Sequence, residues 1–154
     1  MKVEGEISVD APRDLVFSRL SDAPFFASCI DDVSELTAID DTHYSALFAT
    51  RVAYMRFTFK VTVEMTRLEP PNIIEAKVEG TPVGVVGRLA ATASTRLTDD
   101  GDRTTIRYAI DANLTGKLGS IGEPVLRSKA RDMEKQFSTN LLAAFANGGT
   151  EAAR

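Results

Sequence analysis

The chain has 154 residues, enough for one domain whose core buries roughly 70% of the surface its unfolded form exposes. Its net charge of −4, with the Lys and Arg residues scattered among acids along the chain, argues against a nucleic-acid partner. The single cysteine, Cys29, excludes an internal disulfide; the opening MKVEGEISVD has no apolar signal-peptide core, and no run of about 18 apolar residues occurs, so a soluble, cytoplasmic protein is expected.

The first segment alternates: Val3, Ile7 and Val9 against Glu4, Glu6 and Ser8, the period of a strand. Residues 11–30 hold two short helical pieces. Pro12 suits a first turn, Leu15, Val16 and Leu20 are apolar, and Ser21–Pro24 opens the second piece. Tyr44, Ala46 and Phe48 form another half-apolar strand. The clearest pattern follows, with Met55, Phe57, Phe59, Val61, Val63 and Met65 alternating with Arg56, Thr58, Lys60, Thr62 and Glu64. Glu69–Asn72 (EPPN) ends that strand, because proline donates nothing to a ladder.

Ile74, Ala76 and Val78 begin a further strand, and two longer ones come next. Leu89, Ala91, Ala93, Thr95 and Leu97 face one way along the first; Ile106, Tyr108, Ile110, Ala112 and Leu114 do so along the second. Thr98–Asp102 between them is a hairpin turn, with Gly101 placed for a positive φ. The whole reads as an antiparallel sheet with one wet face. A long helix over about 124–146 covers the other face: Val125, Leu126, Ala130, Met133, Phe137, Leu141, Ala144 and Phe145 recur at helical spacing. Arg127, Lys129, Arg131, Asp132, Glu134 and Lys135 fill the opposite side, so this helix has no apolar stripe to spare for a membrane. Asn147, Gly148 and Gly149 are expected to stop it, leaving a single domain over 1–146 and a flexible tail over 147–154.

The stretch GKLGSIGEPVL at 116–126 resembles a phosphate-binding loop only in its glycines. Lys117 is followed by Leu118 rather than Ser or Thr, and Asp111 stands where a Walker loop needs its first glycine. The loop is a structural joint, with Ser120 and Glu123 at capping-box spacing and Pro124 in the first helical turn.

Chemistry-bearing residues are sparse. His43, the only histidine, faces away from Tyr44 and Ala46, which argues against a zinc or copper site. Cys29, beside Ile30, is a small core residue. The acid pairs Asp31–Asp32, Asp40–Asp41 and Asp99–Asp100 fall in turns, where Asp bonds the local backbone. Only Tyr44, Tyr108 and Thr95 are polar and inward, so no nucleophile–base pair is available. The protein is expected not to be an enzyme and to need no metal or cofactor. On the inner face, small residues (Gly87, Ala91, Ala93, Ala112) lie opposite Met55, Phe57, Phe59 and Met65. Either an apolar cavity separates sheet and helix, or the helix packs close over the small residues.

The order of one strand, two short helices, six strands and a long helix resembles the α+β helix-grip fold of the START-like, or SRPBCC, superfamily. Within it, residues 1–146 resemble the CoxG-like proteins of carbon monoxide dehydrogenase systems. The likeness rests on GEISVDAPRDLVFSRLSDAPFFASCI, on LEPPN and on RYAIDANLTGKLGSIG. The resemblance implies a curved antiparallel seven-stranded sheet around a long C-terminal helix. It also implies an apolar cavity for a hydrophobic small molecule, lipid or quinone-like, with Phe48, Phe57, Phe59, Gly87, Ala91, Tyr108, Met133 and Phe137 as wall candidates. The partner it implies is a molybdenum hydroxylase of the carbon monoxide dehydrogenase type. The alternatives are a docking or maturation module for such an enzyme without a ligand, or a small cyclase-like enzyme. Two departures stand out: Asp31–Asp32 replaces the Pro-Gly common in the family, and the chain ends at Arg154 without the hydrophobic anchor of some members. At most peripheral membrane contact is therefore expected.

Overall fold

The alternating segments pair into one seven-stranded antiparallel sheet of order β1-β7-β6-β5-β4-β3-β2 in a computed structural model that describes residues 1–152, and side chains of 1–146. The strands are β1 (Lys2–Val9), β2 (Val33–Ala38), β3 (His43–Val52), β4 (Met55–Glu69), β5 (Ile73–Pro82), β6 (Gly87–Asp100) and β7 (Arg103–Gly116). Between β1 and β2 lie α1 (Arg13–Leu20) and α2 (Ala23–Ser28), and α3 (Glu123–Ala152) ends the chain. Strands β2 to β7 meander by hairpins, and the two short helices carry β1 to the far edge, against β7.

The register puts side chains of like character in rows across the inner face. One row runs Tyr44, Val63, Val78, Ala91 and Ala112; the next runs Met65, Ala76, Ala93, Ile110 and Val3. Phe57 and Phe59 are buried and pack with Leu118 and Leu126, on the helix side as their alternation predicts. A one-residue slip would have turned both rings to water.

Local chemistry explains the joints. Gly101 turns the β6–β7 hairpin at φ +78°, its N–H donating to the Asp99 carboxylate over 3.0 Å. Asp32 takes φ +65°, a left-handed conformation that Asp tolerates better than most residues, so the Asp31–Asp32 departure is accommodated by the backbone. Thr104 is fully buried on β7 and donates to the Ala11 carbonyl over 2.8 Å, tying the start of α1 to the sheet.

Two expectations about the long helix need correction. Ser120 and Glu123 form no capping box: Gly119–Ile121 is a separate 3-10 turn, and Gly122 at φ +103° breaks the chain direction before α3 begins. The Ser120 hydroxyl instead donates back to the Lys117 carbonyl over 2.7 Å. The backbone of α3 also runs through Asn147, Gly148 and Gly149 to Ala152. Glycine lowers helix propensity by about 1 kcal/mol per residue without forbidding the helix. The side chains of the expected tail, 147–154, lie outside the described residues.

Candidate functional site: the space between sheet and helix

Two separate clusters of buried side chains hold the two ends of the sandwich together. One joins Ile7, Val9, Val16, Phe17, Leu20, Leu97 and Ile106 to Leu141 and Phe145 of α3. The other joins Val52, Phe57 and Phe59 to Leu118, with Phe48, Ile121 and Leu126 against it. Between them Val63, Ala76, Val78, Ala91, Ala93, Ile110 and Ala112 face the helix, yet all stay only half-buried. The α3 backbone approaches β1 and β3, and it stands further from β5 and β6. The sheet thus arches over the helix, and accessible apolar space remains under the arch, where a continuous core would exclude it.

The wall candidates divide into three groups. Ala91 lies under the arch beside Val78 and Ala112, and half-buried Met133 and Phe137 face the sheet from α3. Phe137 also stacks on Phe26 of α2, with ring centroids 5.1 Å apart. Phe48, Phe57 and Phe59 form an aromatic group within the second cluster, with centroid separations of 6.3 and 5.8 Å. Gly87 borders no open space. A Cβ there would lie 2.9 Å from the Thr115 carbonyl oxygen and 3.5 Å from Leu118 Cγ, so close passage of the β7–α3 connection explains its smallness.

Tyr108 is the polar landmark. Its ring lies over Gly5 of β1, which has no side chain to displace it, and its hydroxyl donates to the Glu134 carboxylate of α3. Burial first, and then the neighbouring Glu134 carboxylate, push the phenol well above the usual tyrosine range. The sequence had set Glu134 on the outer, charged side of the helix. It is half-buried because it lies four residues after Ala130 and three before Phe137, within reach of the apolar stripe. On the opposite flank Asn140 donates to the Cys29 carbonyl over 3.0 Å, and Gln136 accepts from the Asp31 backbone N–H over 3.3 Å. Polar struts therefore hold both flanks of α3, and apolar contacts hold its ends.

The remaining chemistry is structural. His43 contacts the Asp40 carboxylate at 2.8 Å, and that oxygen also accepts the Thr42 and His43 backbone N–H groups at 2.9 Å. These bonds, chiefly the one from Thr42, hold the Asp40 carboxyl down to about 2. Cys29 is buried, and burial raises its thiol. No group of three or more potential ligands able to hold a metal occurs among the described residues. A concavity of about 580 Å³ lies on the outer face instead, with Ser94 and Ala109 between Lys2, Asp111, Lys77 and Glu75. It is the water-facing side of the sheet, separate from the space under the arch. No helix is long and apolar enough to cross a membrane among the described residues.

Solved structures share this architecture. A conserved protein from Geobacillus kaustophilus is 23% identical, with a TM-score of 0.87 over 96% of this chain and 97% of its own. A START superfamily protein from Mycobacterium smegmatis gives 0.70 at 9% identity, over 95% of this chain and 97% of its own. The Zhui aromatase/cyclase from Streptomyces sp. R1128 gives 0.63 at 18%, over 100% and 96%. No curated protein matches the chain. At these identities the likeness establishes the fold, a START-like helix grip. The sequence profile of the carbon monoxide dehydrogenase CoxG family matches residues 5–146, nearly the whole sheet-and-helix unit, and the chain belongs to that family.

Proposed function

We propose that the protein is a non-enzymatic binding protein that holds a hydrophobic small molecule, lipid or quinone-like, beneath the arch of the sheet. The observation that carries this reading is the interruption of the core. Ala76, Ala91, Ala93 and Ala112 stay half-buried between two well-packed clusters, although they face α3. Small side chains on both β5–β6 and β7 leave room that an apolar guest would fill, and such a guest gains about 25 cal/mol for each Å² of apolar surface withdrawn from water. Tyr108 and Glu134 satisfy one another at the margin, which leaves no free acid–base pair for chemistry. Family membership supports an accessory role beside a molybdenum hydroxylase of the carbon monoxide dehydrogenase type.

The test is extraction of the purified full-length chain with organic solvent, followed by mass spectrometry. One apolar compound in near-stoichiometric amount is expected. A chain that carries no such compound, and that fails to take up an apolar fluorescent probe, would remove the ligand and leave a docking role. Co-purification with a molybdenum hydroxylase tests the second half of the proposal separately.

A further inference from the structure

Three connections leave the sheet at one end, and they carry apolar side chains that nothing covers. The β3–β4 turn follows the Val52–Met55 pair, and it presents Tyr54 at 89% exposure. The β5–β6 loop lies alongside, its Val83 N–H donating to the Thr58 carbonyl over 2.8 Å; it exposes Val83, Val85 and Val86, the last at 84%. The β7–α3 connection joins this loop through the Lys117 N–H, which donates to the Val86 carbonyl over 2.8 Å. Isolated apolar residues on a surface need no explanation, but apolar tips on adjacent loops do.

The charges around these tips have one sign. Residues 49–62, 79–90 and 112–127 hold Arg51, Arg56, Lys60, Arg88, Lys117 and Arg127, against only Glu79 and Glu123. Both acids are engaged, Glu79 by Arg88 and Glu123 by Arg127. This end is therefore basic in a chain whose net charge is −4. Arg51 and Arg56 sit directly opposite one another on the outer face of β3 and β4, and neither forms an ion pair among the described residues. Like charges opposite one another weaken a strand pair. The other opposed arginines on that face, Arg96 and Arg107, are relieved by Glu6, which lies 2.8 Å from Arg107. The Arg51–Arg56 pair has no such relief within the chain.

We propose that this end of the molecule is a docking surface for an anionic lipid bilayer. Tyr54 and the β5–β6 valines would enter the interfacial region, while Arg51, Arg56 and Lys117 meet the headgroup phosphates. An aromatic ring and short aliphatic chains beside unpaired basic residues match a surface that is apolar beneath and negative above. A protein partner would need shape complementarity that separated loop tips do not provide. This surface is distinct from the space under the arch, and docking does not require a guest there.

Co-sedimentation with phosphatidylcholine vesicles, with and without phosphatidylglycerol, tests it. The full-length chain is expected to prefer the anionic vesicles, and salt is expected to weaken the binding. Arg56→Glu should lower partitioning roughly tenfold or more, since each basic residue at a membrane surface contributes about a fivefold factor. The same change places opposite charges across the strands, so the thermal midpoint should hold or rise. Tyr54→Ser with Val86→Ser should weaken binding while keeping its salt dependence. Lys135→Glu, the same charge change on the outer side of α3, should leave binding intact. Equal loss with Lys135→Glu would reduce the effect to net charge and overturn the proposal. So would wild-type protein that ignores anionic vesicles, or Arg56-dependent capture by an acidic protein in their place. The solvent extraction described above reads the guest independently, so either result can fail alone.

Discussion

Gly5 of β1 and Tyr108 of β7 face each other across the strand pair, and a methyl group at Gly5 would overlap the Tyr108 ring. The glycine lets the ring lie flat against β1 and deliver its hydroxyl to Glu134. One missing side chain at the sheet edge thereby fixes a contact between sheet and helix.

Gly5→Ala is expected to cost about 1–3 kcal/mol, because the ring must swing away from its place. Tyr108→Phe should cost a similar amount, about 1–3 kcal/mol, by leaving the half-buried Glu134 carboxylate without its donor. Both changes remove the same Tyr108–Glu134 bond, so the double variant should lose less than the sum. Thermal unfolding of the four proteins in the cycle measures this, and simple additivity would separate the glycine from the bond.

The raised phenol of Tyr108 predicts a loss of stability in alkali. The neutral hydroxyl is favoured in the folded state, so its contribution is complete below the ordinary tyrosine value of about 10. Above that pH the unfolded chain releases its proton first, and stability falls until the folded phenol also ionises. Denaturant midpoints between about pH 9 and 11 should therefore fall more steeply in wild type than in Tyr108→Phe. The ultraviolet difference between the two proteins should show Tyr108 titrating above the usual range.

Ala91→Phe tests the space under the arch. A ring that fills existing room should abolish uptake of an apolar probe and leave stability nearly unchanged. A ring forced against close-packed α3 would cost about 1–3 kcal/mol. Gly87→Ala provides the contrast, because its Cβ would press on the Thr115 carbonyl. It should destabilise the protein whether or not a guest is bound. Thermal unfolding and probe fluorescence on the two variants give the answer.

Strand identity, the inward facing of Phe57 and Phe59, the Gly101 turn and burial of Cys29 were all legible in the sequence. Each depends on neighbours a few residues away: period-two alternation, turn chemistry or a short apolar run. The helix boundaries were less legible, because Gly122 breaks the chain before α3, and the glycines at 148 and 149 remain within it. Alternation assigns a side chain to a face of the sheet, but it does not say how far the covering helix stands from that face. Only the tertiary structure set that distance. It left Ala91 under an arch, brought Gly87 beneath a connection and turned Glu134 toward Tyr108. The basic end likewise could not be read along the chain, where its residues are interspersed with acids. Hairpin folding gathers Arg51, Arg56, Arg88 and Lys117 at one end of the sheet, because antiparallel pairing returns every second connection to the same side.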